Sequence, residues 1–383
     1  MYLQGVAPFP DPRRPNHPTS RVKERSMIRA TMDRPGSASM TRDIARKNRH
    51  TRKGSIPRPY PDKDHERSKG EHPMSLPVVH HPDYHPETPV DERRFPMDKY
   101  AHLSRHLQDP SFHGRLDWKT PSPASREQLL RAHDETYVDA ILSLSLDARS
   151  VRRIGLPLTD SIVRRALASC GGTILTTRLA LERGLSVNLA GGSHHAARSQ
   201  GAGFCLFNDV AVAALDLLAS DAARRILVLD CDVHQGDGTA LIFAGDPRVF
   251  TVSLHCRTNW PLEKPPSDLD IELEPGSTDE IYLDALGAAL QQSLPQARPD
   301  LVIFNAGVDP HIDDRLGRLS LSDQGLRDRE RLVLETCARS SLPLAAVLGG
   351  GYGPDPDVIA RRHMIVFETF SGFASARASS END

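Results

Sequence analysis

Residues 226–238 read ILVLDCDVHQGDG, an apolar run that opens into three aspartates and a histidine. In extended chain, side chains two apart point to the same side, so Asp230, Asp232 and His234 form one row. Asp232 and His234 can hold one metal ion, with Asp309 of NAGVDPHIDD arriving from another strand end. Three protein ligands leave one coordination position open, as catalytic rather than structural sites do. Two carboxylates and one imidazole make a relatively hard set, so zinc is the working assignment, while iron(II), manganese and cobalt also fit. Asp230 and Asp237 are then free to accept the distal N–H groups of the paired His194 and His195, which fixes their tautomers and raises their basicity. Two buttressed histidines beside an open metal position describe a hydrolase with a general base and a general acid. Tyr352, on the glycine-rich turn LGGGYG, is placed to hydrogen-bond a developing oxyanion.

Taken singly, each feature has a plainer explanation: an aspartate after a strand is usually a helix N-cap, and a glycine pair is usually a turn. Their joint position argues otherwise. The β-rich runs LSVNLAGG, RRILVLDCD, RVFTVSLH, DLVIFNAG and LPLAAVLGGG are nearly all apolar, and helical segments such as FNDVAVAALDLLAS, DEIYLDALGAALQQSL and DQGLRDRERLVLETCARS separate several of them. Apolar strands with helical crossovers predict an α/β fold, a three-layer αβα arrangement around a central, mostly parallel sheet. In such sheets ligands gather at the carboxyl ends of the strands, which is where GGSHH, DCDVHQGDG, LHCRTNW, NAGVDPHIDD and GGGYGPD all lie. Upstream, SREQLLRAHDETYVDAILSLS has helical spacing, and DSIVRRALASCGGTILTTRLALERG predicts a long helix, broken at Gly171-Gly172.

The chain has 383 residues and a formal net charge of −2, unevenly spread. Residues 1–73 hold 17 Lys and Arg against 8 Asp and Glu, an excess of nine positive charges that the remainder more than offsets. Rich in Arg, Pro, Ser and His and without apolar periodicity, this segment is expected to be a disordered basic tail. The alternative is that Met74 is the true start, with residues 74–383 forming the folded domain. The tail has no apolar core of a secretory signal, and no run reaches membrane-spanning length. Nucleic acid is an expected partner only through the tail. The five cysteines Cys170, Cys205, Cys231, Cys256 and Cys337 show no CxxC spacing, which predicts reduced thiols in a cytoplasmic protein.

The ordered set AGGSHHA, GAGFCLFND, DCDVHQGDGT, VSLH, NAGVDP…DRLGRLSLS and LGGGYG resembles the histone deacetylase family, in particular its class IV branch and the related bacterial deacetylases. The likeness runs from about Val78 to the region of Phe370. It implies a single arginase-like αβα domain that removes acetyl or longer acyl groups from lysine, or from small amines, with zinc. By the same resemblance, Asp232, His234 and Asp309 match the metal ligands. His194 and His195 match the catalytic histidines, with His195 as general base, and Tyr352 matches the carbonyl-polarising tyrosine. Gly203 and Phe204 match a tunnel-lining pair. A structural potassium ion would use Asp230, Asp232, His234, Ser253 and Leu254. Gln235 and Ser193 depart from residues common in the family, which bears on tunnel width and rim polarity, and Asn259 and Trp260 match no assigned role.

Three functions follow as expectations: a deacylase of acyl-lysine in proteins, a deacetylase of small acetylated amines such as polyamines, or an inactive acyl-binding scaffold. The last is disfavoured because every position expected to act is filled. A manganese ureohydrolase of the same fold would use more aspartates to bridge two metals.

Overall fold

The computed structural model describes residues 75–381, with side chains to Ala376. The basic segment 1–73 and the start at Met74 lie outside the described residues. Among the described residues eight strands form one sheet: β1 Leu76–Val79, β2 Leu116–Lys119, β3 Leu185–Asn188, β4 Ile226–Asp230, β5 Val249–Cys256, β6 Leu269–Leu273, β7 Leu301–Asn305 and β8 Leu344–Val347. Their order is β2-β1-β3-β8-β7-β4-β5-β6, and every pairing is parallel. The helices are α1 Lys99–His106, α2 Arg126–Ala132, α3 Glu135–Leu142, α4 Ala148–Ile154, α5 Asp160–Arg183, α6 Asp209–Ala219, α7 Asp237–Phe243, α8 Asp279–Ala297, α9 Asp323–Arg339 and α10 Pro356–Glu381.

The layers follow from strand composition. β4 (ILVLD) and β7 (LVIFN) are buried along their whole length, so both faces need cover. One helical group supplies it with α5 against β1, β3, β7 and β8 and α6 beside it; the other has α8 against β4, β5 and β6, then α9, α10 and α1. The edge strands β2 (LDWK) and β6 (LDIEL) are only partly buried, and their mixed composition hid them from an apolar-run reading. No helix among the described residues is long and apolar enough to cross a membrane.

Two helical expectations need correction. The helix expected to break at Gly171-Gly172 is the continuous α5, which starts at the N-cap Thr159 and ends at Gly184, where φ is +86°. Its two glycines serve close packing instead: a Cβ on Gly171 would lie 1.9 Å from the Ser122 carbonyl oxygen, and one on Gly172 would lie 1.9 Å from the Tyr84 hydroxyl. Conversely, the segment 125–145 is two helices. α2 begins with a capping box at Ser125 and Gln128 and stops at His133, which is extended (φ −125°, ψ 150°). The interruption lets the His133 ring donate from Nδ1 to the Ala197 carbonyl (2.9 Å) and accept the Asn208 N–H at Nε2 (3.0 Å).

Candidate active site

The five strands whose ends carry the ionisable groups, β3, β8, β7, β4 and β5, are neighbours in that order. Their loops therefore meet over the middle of the sheet. Asp232, His234 and Asp309 are buried there, and a ligating atom from each lies within 4.8 Å of the others. His234 Nδ1 is 3.0 Å from Asp232 Oδ1 and 3.1 Å from Asp309 Oδ2. Backbone amides hold both carboxylates: the Gly350 N–H donates to Asp232 Oδ2 (2.6 Å) and the Val233 N–H to Asp309 Oδ1 (2.8 Å). Only glycine allows that approach at 350, since a Cβ would fall 2.1 Å from Asp309 Oδ2.

Beside this trio each histidine of the pair has its own carboxylate. His194 Nδ1 meets Asp230 Oδ2 at 2.6 Å, and His195 Nδ1 meets Asp237 Oδ1 at 2.6 Å. With Nδ1 of both rings donating, the two Nε2 atoms face each other at 3.0 Å, a separation that requires one proton between them. Burial works against charge on both rings. For His194 the carboxylates of Asp230 and Asp232 outweigh it and hold the ring up at about 9, whereas His195, desolvated and beside the His194 charge, falls to about 4. The pair thus divides into one acid and one base.

The metal-ligand candidates show what charge the pocket floor favours. Burial, then the neighbouring Asp232 charge, pushes Asp309 up to about 8. Burial opposes the His234 imidazolium, yet hydrogen bonds to Asp232 and Asp309 raise it to about 10. Two desolvated carboxylates, each within 3.1 Å of His234 Nδ1, favour a positive charge between them. A divalent ion with a neutral imidazole satisfies the same demand, so the donor set fits a metal.

Tyr352 reaches this site from the β8 loop. Its backbone N–H donates to Asp314 Oδ2 (2.6 Å), and the buried Lys99 ammonium lies 5.7 Å from its ring centre while bonding the Gly351 carbonyl (3.3 Å). Gly203 and Phe204 both have positive φ, +53° and +68°. Glycine is required at 203, where a Cβ would lie 2.5 Å from the His195 ring; Phe204 holds a conformation costly for an aromatic residue and packs against Phe95 (5.2 Å) and Tyr352 (6.0 Å). Asp230, the last residue of β4, pairs in register with Ser253 of β5, next to Leu254.

Several supporting residues escaped the sequence reading. Asn208, the N-cap of α6, donates from its amide to Ala196 O (3.1 Å), and Asp209 accepts the Ser193 N–H (2.7 Å), so together they shape the double-histidine loop. The signal was available, since Asn-Asp stands directly before a helical run. Asn305 binds Asp230 Oδ1 (2.9 Å) from the end of β7. Gln235 reaches away from the metal-ligand candidates to Pro265 O (2.7 Å) and Asp270 (3.0 Å), bracing the wall segment. Trp260, which matched no role, lies edge-on to His195 at 4.5 Å, and Asn259 bonds Leu316 O (2.7 Å) while its amide nitrogen lies 3.4 Å from His234 Nε2. They form a wall over the histidines.

The chain is similar to known proteins over most of the described residues. The sequence description of the histone deacetylase domain matches residues 93–368. An uncharacterized protein of Picosynechococcus sp. is 46% identical over 294 residues, 76% of this chain and 97% of that protein. Histone deacetylase 2 of Arabidopsis thaliana is 30% identical over 272 residues (68% of this chain, 70% of the relative), and a probable deacetylase of Archaeoglobus fulgidus is 28% identical over 293 residues (72% and 80%). The crystal structure of the HDA15 HD domain shares the fold, with a TM-score of 0.65 at 22% identity, covering 78% of this chain and 91% of that one. The chain belongs to the histone deacetylase family, and its αβα sheet is the arginase-like fold expected of it.

Proposed function

We propose that residues 74–383 form a zinc-dependent hydrolase that removes acyl groups from acyl-lysine side chains. The observation that carries this reading is the convergence, in one buried pocket, of the Asp232–His234–Asp309 trio with two histidines that share a proton and each lean on a separate carboxylate. Bound by the trio, zinc would supply Lewis acidity toward the amide carbonyl and the attacking water.

The chain's own groups do the rest. Asp237 holds the Nδ1 proton of His195, so the basic atom of that ring is Nε2, which takes a proton from water once its hydrogen bond with His194 opens. His194, kept protonated by Asp230, gives its Nε2 proton to the departing amine. The Tyr352 hydroxyl donates to the carbonyl oxygen as negative charge develops on it. The Gly203 carbonyl accepts the substrate N–H, and the Phe204 ring flanks the aliphatic stem. A potassium ion would find oxygen donors on Asp230, Asp232, His234, Ser253 and Leu254. All five cysteines are buried and free, which supports a reducing, cytoplasmic setting.

The wall residues favour acyl-lysine over acetylated polyamines. Trp260 is 43% exposed, Leu262 88% and Leu316 36%, apolar surface against which the peptide flanking an acyl-lysine can pack, although the exposed Glu263 follows Leu262 in the same segment. The test is hydrolysis of a fluorogenic acetyl-lysine peptide beside an acetylated polyamine, each with and without zinc and a hydroxamate. Hydroxamate-sensitive turnover of the peptide is expected; turnover of the amine alone would overturn the substrate assignment, and turnover of neither by zinc-loaded protein would overturn the enzyme.

A further inference from the structure

We infer that the chain carries a second transition-metal site, formed by His102 and His106 of α1 with Asp357 in the first turn of α10, and that zinc bound there clamps the two helices together. The spacing is the first ground. HLSRH puts two imidazoles four residues apart on one helix face, a spacing at which both can reach a single ion.

Convergence is the second. His102 Nδ1 lies 3.0 Å and His106 Nε2 2.6 Å from the same oxygen, Asp357 Oδ1. The three candidate ligand atoms lie within 4.8 Å of one another, so modest separation makes room for an ion. Arg361 Nε donates to the other oxygen, Oδ2, at 2.8 Å, which orients the carboxylate and leaves Oδ1 facing both imidazoles. The side chains retain 24 to 29% of their exposure, enough for solvent to complete the coordination shell. A neutral imidazole pair with one carboxylate suits zinc.

The site lies outside the pocket, so it stands independently of the deacylase reading. Its effect would be mechanical: α10 begins four residues after Tyr352, and a metal bridge fixes that first turn against α1.

The test is zinc content of the full chain, stripped with chelator, reloaded and freed of excess zinc. The wild type is expected to retain about two equivalents, and His106→Gln and Asp357→Asn about one each, together with loss of the rise in melting temperature that zinc gives the wild type. Asp232→Ala should also retain about one equivalent, which separates the two sites. A wild type holding a single equivalent that Asp232→Ala abolishes overturns the inference, as does a second equivalent that survives both α1/α10 variants. Should those variants misfold, anomalous diffraction from the zinc-loaded wild type decides: a peak beside His106 Nε2 supports the site, and an empty position there refutes it.

Discussion

Two clusters of histidine and aspartate, built from the same chemistry, sit in different surroundings. On the pocket floor Asp232, His234 and Asp309 are fully buried, whereas His102, His106 and Asp357 are half-exposed between α1 and α10. Asp309 and Asp357 respond in opposite ways. Burial and the Asp232 charge drive Asp309 up to about 8, while Arg361, then His106, hold Asp357 well below the usual carboxylate range. The floor therefore holds two desolvated carboxylates that a cation between them would stabilise, and the flank carboxylate is already paired with an arginine. Residue identity makes both clusters candidate metal sites; desolvation and the absence of a competing guanidinium set how strongly each one needs the ion.

The largest effect expected from this contrast follows Asp232→Ala. Removing one floor ligand should empty that site and reduce turnover at least about a thousandfold, with metal content and kcat measured together. Retained floor metal would show that the trio is not the ligand set. Tyr352→Phe comes next: kcat should fall roughly a hundredfold to a thousandfold with floor metal unchanged, because the hydroxyl acts on charge that develops only in the transition state. An unchanged kcat would remove Tyr352 from the reaction. A chelator titration then compares the clusters directly. The flank ion, next to Arg361, should dissociate at a roughly tenfold to hundredfold lower chelator concentration than the floor ion. The reverse order would mean that neither desolvation nor a competing guanidinium sets the relative affinities.

The two clusters also differ in how far the sequence reveals them. Asp230, Asp232 and His234 fall within five residues after an apolar strand, so strand periodicity alone puts them in one row. The five loaded strand ends could be matched to one rim because parallel sheets gather loops at one edge, and they prove to be adjacent strands. His102 and His106 are also close in sequence, but their carboxylate lies 255 and 251 residues away, and no local pattern links them. The edge strands β2 and β6 were equally hidden, since they are half-exposed and carry no continuous apolar run. Gly171 and Gly172 misled for a related reason: a glycine pair signals a break when only backbone freedom is considered, and here the constraint is contact with Ser122 and Tyr84.

The smallest expected effect concerns the support of the floor cluster. His133 is neutral by construction, donating from Nδ1 to Ala197 just beyond the double histidine and accepting the Asn208 N–H at Nε2. Burial lowers its pKa from the ordinary 6.5 to about 4, and a proton on Nε2 would confront the Asn208 amide hydrogen. Below pH 6.5 the unfolded chain takes up a proton that the folded chain refuses, so this residue's contribution is intact at neutral pH and lost as pH falls from about 6.5 toward about 4. Between pH 7 and pH 5 the loss amounts to about 2 kcal/mol. Urea unfolding at the two pH values, for wild type and His133→Gln, isolates the effect: the wild type should lose about 2 kcal/mol more than the variant. Equal losses would mean that the double-histidine loop does not depend on a neutral His133.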